Sequence, residues 1–150
     1  MKCGSCCDLE SSRLMVSKAL GNIKRLQDGI VRKELSSSLL SNALESLDQL
    51  RKVLHAYSKS IAEAEDSIAQ AFCFIGELQC AMEHCKSSIQ ILEKLYSPDH
   101  IVIGYELMKL LSIQLSLGDV DAGETLNRLG IIFEHHYSLW LPYSSCVSIS

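Results

Sequence analysis

The chain has 150 residues, of which 47% are hydrophobic and 21% charged, with a formal net charge of −4. That length suits one ordinary domain burying roughly 70% of the surface its unfolded chain would expose, and the mild negative balance argues against a phosphate-binding face, so neither nucleic acid nor a membrane surface is an expected partner. Two prolines, Pro98 and Pro142, and eight glycines are too few turn signals for an all-β sandwich, whereas the excess of Leu, Ile and Ala over aromatic residues favours helices.

The N-terminus, Met1-Lys2-Cys3-Gly4, has no apolar h-region, and no stretch approaches the roughly 18 uninterrupted apolar residues of a membrane span. A soluble, intracellular chain, cytoplasmic or nuclear, is expected. The seven cysteines are odd in number and four of them fall in or beyond predicted helices, which fits reduced thiols better than a disulfide framework.

Along the chain, residues 1–11 read as a cysteine-containing N-terminal segment, 12–137 as a helical domain and 138–150 as an irregular tail. Val16, Ala19, Ile23, Leu26 and Ile30 alternate spacings of three and four, the pattern of one apolar helical stripe, with Ser11 or Ser12 as its cap. Ser36-Ser37-Ser38 breaks the pattern. Leu40, Ala43, Leu47, Leu50, Leu54 and Tyr57 then form a second stripe, and Ser60-Ile-Ala-Glu63 reads as a capping box opening a third helix. That helix carries Ile61, Ala64, Ile68, Ala71 or Phe72, and Ile75, and Gly76 ends it. A fourth helix buries Ala81, Cys85, Ile89 and Leu92 before Ser97-Pro98 stops it, and Pro98 can open the fifth. Helix five presents Ile103, Leu107, Leu110 and Leu117. Helix six presents Ala122, Leu126, Leu129, Phe133 and Tyr137.

These six helices pair into three hairpins that repeat. A shift of 42 residues, counted on the sequence, aligns Gly76-Glu77 with Gly118-Asp119, Ile61 with Ile103 and Ala81 with Gly123. Leu26, Ile68 and Leu110 recur in the first helices, and Leu47, Ile89 and Ile131 in the second. A Gly-acid turn followed by a small residue near the start of the second helix matches the tetratricopeptide pattern, in which each hairpin hides its open face against a neighbour. The expected fold class is therefore an all-α, tetratricopeptide-like helical repeat of about three helix-turn-helix pairs.

Candidate chemistry is sparse. Cys3-Gly4-Ser5-Cys6 has metal-ligand spacing, but a closed structural zinc site needs four ligands, so alone it reads as a free cysteine cluster. Cys80 and His84, four apart, are explained by helix packing. His135-His136 lies where a cation suits the negative end of a helix. Glu63, Glu65 and Asp66 fall in a first turn and read as a solvated acidic face. No G-x-S-x-G, Gly-rich phosphate loop or HExxH occurs.

The run "HAYSKSIAEAEDSIAQAFCFIGELQCAMEHCKSSIQILEKLYSPDHIVIGYELMKLLSIQLSLGD" resembles the C-terminal helical region of SET and MYND domain-containing proteins, above all the type-four, plant-like members. The likeness covers roughly residues 3 to 137 and is carried most specifically by Ser97-Pro98-Asp99-His100 through Gly104 and by Leu115-Ser116-Leu117-Gly118-Asp119, although similar strings occur in other 42-residue tetratricopeptide arrays such as kinesin light chains. The resemblance implies a relation to protein-lysine methyltransferases, in which a SET domain binds S-adenosylmethionine and a MYND finger binds zinc. This chain has neither motif set, so no catalytic or cofactor-binding residue carries over. In the family's terms Cys3 and Cys6 look like the last pair of a cysteine-rich segment, a half-site for zinc if the rest of that segment is present. The expected function is a non-catalytic protein- or peptide-binding module, a fragment or short isoform. The alternative is the accessory part of an active methyltransferase whose SET domain lies on a longer product. Candidate partner contacts are Glu63, Asp66, Gln70, Glu106, Lys109 and Gln114. The basic set needed to clamp a chaperone's C-terminal carboxylate is not found, so that partner is without support.

Overall fold

A computed structural model describes the backbone of residues 3–138 and the side chains of 9–137. Among the described residues every regular element is a helix: α1 (Cys3–Arg32), α2 (Ser37–Val53), α3 (Lys59–Ile75), α4 (Leu78–Leu95), α5 (Ile101–Leu117) and α6 (Ala122–Ser138). Each packs on its chain neighbours, and α1 also packs on α3. The core runs through the whole stack, with Leu26, Leu50, Ile61, Ile68, Ile103 and Leu107 among its fully buried side chains.

Local chemistry sets the helix starts. Ser36 caps α2 by accepting the Leu39 amide at 3.2 Å, and His100 caps α5 by accepting the Val102 amide through Nδ1 at 3.1 Å. The expected capping box at Ser60 and Glu63 does not form. Helix α3 begins two residues earlier, with Ser58 as its cap accepting the Ser60 amide, which leaves Glu63 to reach Lys59 instead. Pro98 likewise does not open α5. It sits second in the turn where Ser97 carbonyl accepts the His100 amide at 3.0 Å, a position its fixed φ suits. No cap forms at Ser11 or Ser12, because α1 already runs through them from Cys3.

The helix ends are more uniform. Gly76 and Gly118 both adopt left-handed dihedrals, and each closes its helix with the paired bonds of a Schellman motif: Gly76 amide to Cys73 carbonyl with Glu77 to Phe72, and Gly118 to Leu115 with Asp119 to Gln114. These four partners are each displaced by 42 positions. The first hairpin closes in the same way one position out of phase, through Lys33 to Ile30 and Glu34 to Gly29, and there Lys33 takes the left-handed conformation without being glycine.

Burial follows the same spacing through most of the chain. Ala19, Ile61 and Ile103 are buried, as are Leu26, Ile68 and Leu110, and Leu40, Ala43, Ser46, Leu47 and Leu50 of α2 match Met82, Cys85, Ser88, Ile89 and Leu92 of α4. Helix α6 departs from it. Ile131 and Gly123 are exposed, and Ala122, Leu129 and Ile132 are the buried residues that follow α4, one position earlier than the spacing predicts. The extra turn at Val120-Asp121 ahead of α6 shifts its facing, so Ala122, not Gly123, is the buried small residue. Leu126 and Tyr137 of the expected stripe are exposed, and Tyr57, Ile75 and Leu117, at or beyond helix ends, are also uncovered.

Candidate functional site

Two polar constellations stand out, one inside the stack and one on its surface. The inner one centres on Glu65, whose side chain is 0% exposed. Arg51 of α2 pairs with its Oε1, and Nδ1 of His84 on α4 lies 2.6 Å from its Oε2. A carboxylate oxygen can only accept, so Nδ1 carries the hydrogen. Burial first, and then the Arg51 charge, hold the His84 imidazole below its ordinary value, which leaves it neutral at pH 7. Its ring stacks on Phe72 with centroids 5.4 Å apart. The expected solvated acidic face thus fails at its middle member. Glu65 shares the phase of Ile61 and Ile68, and a carboxylate placed on that stripe is carried into the core with its partners.

The outer constellation is a groove of about 620 Å³. Ile30 of α1, then Ala69, Gln70, Cys73 and Phe74 of α3, then Met108, Ser112 and Ile113 of α5 line it, with the buried Cys85 of α4 behind them. One helix from each hairpin contributes, because the spacing of 42 brings residues such as Asp66 and Met108 to equivalent places on successive first helices. Phe74 and Met108 are 47% and 51% exposed, a large apolar area left at the mouth.

The polar wall is built from Asp66, Gln70 and Lys109, with Glu106 held behind Lys109. The Lys109 ammonium donates to both Asp66 oxygens at 3.1 Å and to Glu106 Oε1 at 3.0 Å, while Gln70 donates to Asp66 Oδ2 at 2.9 Å. Glu106 Oε2 is buried with no hydrogen-bond partner. Burial and then the neighbouring Asp66 charge raise the Glu106 carboxyl above its usual range, and the two carboxylates raise Lys109 despite the opposing effect of burial. Burial and Asp66 also raise the Cys73 thiol, and Cys85 is pushed up to about 12, chiefly by burial, so neither is a thiolate at neutral pH.

Of the six candidate contacts, Asp66, Gln70, Glu106 and Lys109 come together here. Glu63 points elsewhere, paired with Lys59. Gln114 is buried and donates to Asp119 Oδ2 at 3.1 Å across the α5 end, so it cannot meet a partner. Its phase explains the correction: it occupies the position equivalent to Phe72, on the core side of the helix. The Cys3 and Cys6 side chains lie outside the described residues. Cys80 is exposed and His84 is committed to Glu65, so these two do not form a pair. His136 instead approaches the Asp99 carbonyl at 3.3 Å, and hydrogen bonds from Ser97 and from its own backbone amide, with lesser help from His135 and His136, lower the Asp99 carboxyl.

Comparison with known proteins bears on this arrangement. No protein-family model matches the chain. Over 117 residues it is 32% identical to the protein-lysine N-methyltransferase SMYD4 of Gallus gallus, covering 72% of this chain and 16% of that protein. The Pongo abelii and Mus musculus proteins of the same name are 28% and 27% identical over 119 and 100 residues, covering 75% and 61% of this chain. The similarity is to SET and MYND domain proteins. The chain spans about a sixth or less of the length of these relatives. Among the described residues no helix is long and apolar enough to cross a membrane, and no group of three or more His, Cys, Asp or Glu is placed to hold a metal ion.

Proposed function

We propose that this chain is a non-catalytic, tetratricopeptide-like interaction module corresponding to a helical part of a SET- and MYND-type protein-lysine methyltransferase, and that it holds a protein segment in the groove across α1, α3 and α5. The observation that carries this reading is the groove itself. It presents exposed Phe74 and Met108 beside an organised polar wall, and apolar surface rimmed by fixed polar groups is what a recognition site needs. The relatives named as methyltransferases support the family part of the reading, and their greater length supports assigning chemistry to other regions.

The test is a pull-down from cell extract with the purified chain and with a Phe74→Ser/Met108→Ser variant, read by mass spectrometry. Both side chains are about half exposed, so circular dichroism should show an unchanged fold. A partner held by the native chain and lost by the variant supports the groove. An identical partner set from both chains overturns it.

A further inference from the structure

Resting on that reading, we infer that the groove selects a segment pairing an apolar side chain with a cationic one, Lys or Arg, and disfavours acidic segments. Lys109 is shared by two carboxylates, Asp66 in the groove lining and Glu106 behind it, so the cluster carries one negative charge in excess. Lys109 is the sole Lys or Arg among the lining residues, and its three contacts within 3.1 Å are all made to those carboxylates. No basic group is left over for an incoming carboxylate. A second cation at the Asp66 edge, by contrast, would share Asp66 and let Lys109 move further onto Glu106, whose Oε2 has no partner. Placing the cation there puts the neighbouring apolar side chain over Phe74 and Met108. The long-range field acts in the same direction, since the chain carries a net charge of −4.

The experiment uses the full chain labelled with ¹³C-methyl methionine. The sequence has four methionines, and Met108 lines the groove whereas Met82 is buried and Met15 lies on α1 outside it. Three capped peptides with the same apolar residues, Leu-Phe-X-X-Leu, carry Lys, Gln or Glu at X. The Met108 signal should shift with the Lys peptide binding about fivefold tighter than the Gln peptide at low salt, and the Glu peptide weaker than both. In Asp66→Asn this order should collapse, while in Lys109→Met the Lys preference should grow. The two variants are expected to act in opposite directions, so general damage to the fold cannot produce both results. A Glu peptide that binds as well as the Lys peptide, or a Lys preference unchanged in both variants, overturns the charge selection while leaving the groove in place. Failure of all three peptides to move Met108 overturns the groove as a peptide site, and the selection with it.

Discussion

The Arg51–Glu65–His84 cluster makes a prediction whose sign differs from simple bond counting. Glu65 is wholly buried, whereas Arg51 is 51% exposed and can turn to water when released. Replacing Arg51 by Met keeps the aliphatic stem but leaves a buried carboxylate with His84 alone, and stripping a partner from a buried charge costs about 3–5 kcal/mol. Half-exposure of Arg51 puts this case at about 2–3 kcal/mol, or a fall in Tm of about 6–9 °C for a chain of this size. Replacing Glu65 by Leu removes the burial cost together with the pair. It loses one hydrogen bond to His84, worth about 1.5–3 kcal/mol because the acceptor is charged, which relief of the burial cost offsets, and inserts the residue already found at the equivalent core position, Leu107. Glu65→Leu should therefore lie within about 1 kcal/mol of the native chain, and the double variant should resemble it rather than the sum. Urea denaturation followed by circular dichroism gives all three values. If Glu65→Leu costs as much as Arg51→Met, or if the two costs add, burial of the charge is not the dominant factor.

Two further outcomes are expected. Lys33 pays the steric cost of left-handed backbone, about 1–2 kcal/mol for a residue with a Cβ, so Lys33→Gly should raise stability by about 0.5–1 kcal/mol once the entropy of glycine is deducted; a loss on thermal denaturation would contradict this. The raised Glu106 carboxyl takes up a proton in the folded chain before the unfolded one, so its contribution to stability grows as pH falls through the window from that raised value to the unfolded value of 4.5 and is lost as pH rises back through it. The stability difference between the native chain and Glu106→Gln should accordingly shift in favour of the native chain on acidification through that window and level off below it, and a shift toward the variant would refute the assignment.

The helices and most of their buried faces were legible in the sequence because the repeated apolar phase and the Gly76 and Gly118 turns are local signals. What was not legible depended on a displacement of one or two residues. The two-residue advance of α3 moved the cap from Ser60 to Ser58, and the Val120-Asp121 turn rotated α6 so that Ala122, Leu129 and Ile132 face inward and Ile131 does not. At the groove, Asp66, Gln70 and Lys109 could be placed on first helices by phase, but the bonds joining α3 to α5 span 43 residues and have no local signature. Glu65 was misread because its neighbours in sequence are acidic while its neighbours in space are Arg51 and His84.

That cluster also constrains how the stack can be assembled. At successive intervals of 42 residues the equivalent core positions hold Ile23, Glu65 and Leu107, so at this position only the middle hairpin carries a carboxylate. Its charge is balanced by Arg51 of the preceding hairpin, and His84 of its own hairpin donates a hydrogen bond to its other oxygen. Were the middle hairpin docked out of order, exchanged between two chains in the wrong register, or duplicated in tandem, Glu65 would find no guanidinium to receive it, since the positions equivalent to Arg51 hold Glu93 and His135. The three hairpins look alike in outline yet are not interchangeable parts: the buried carboxylate works as a key that fits one seam.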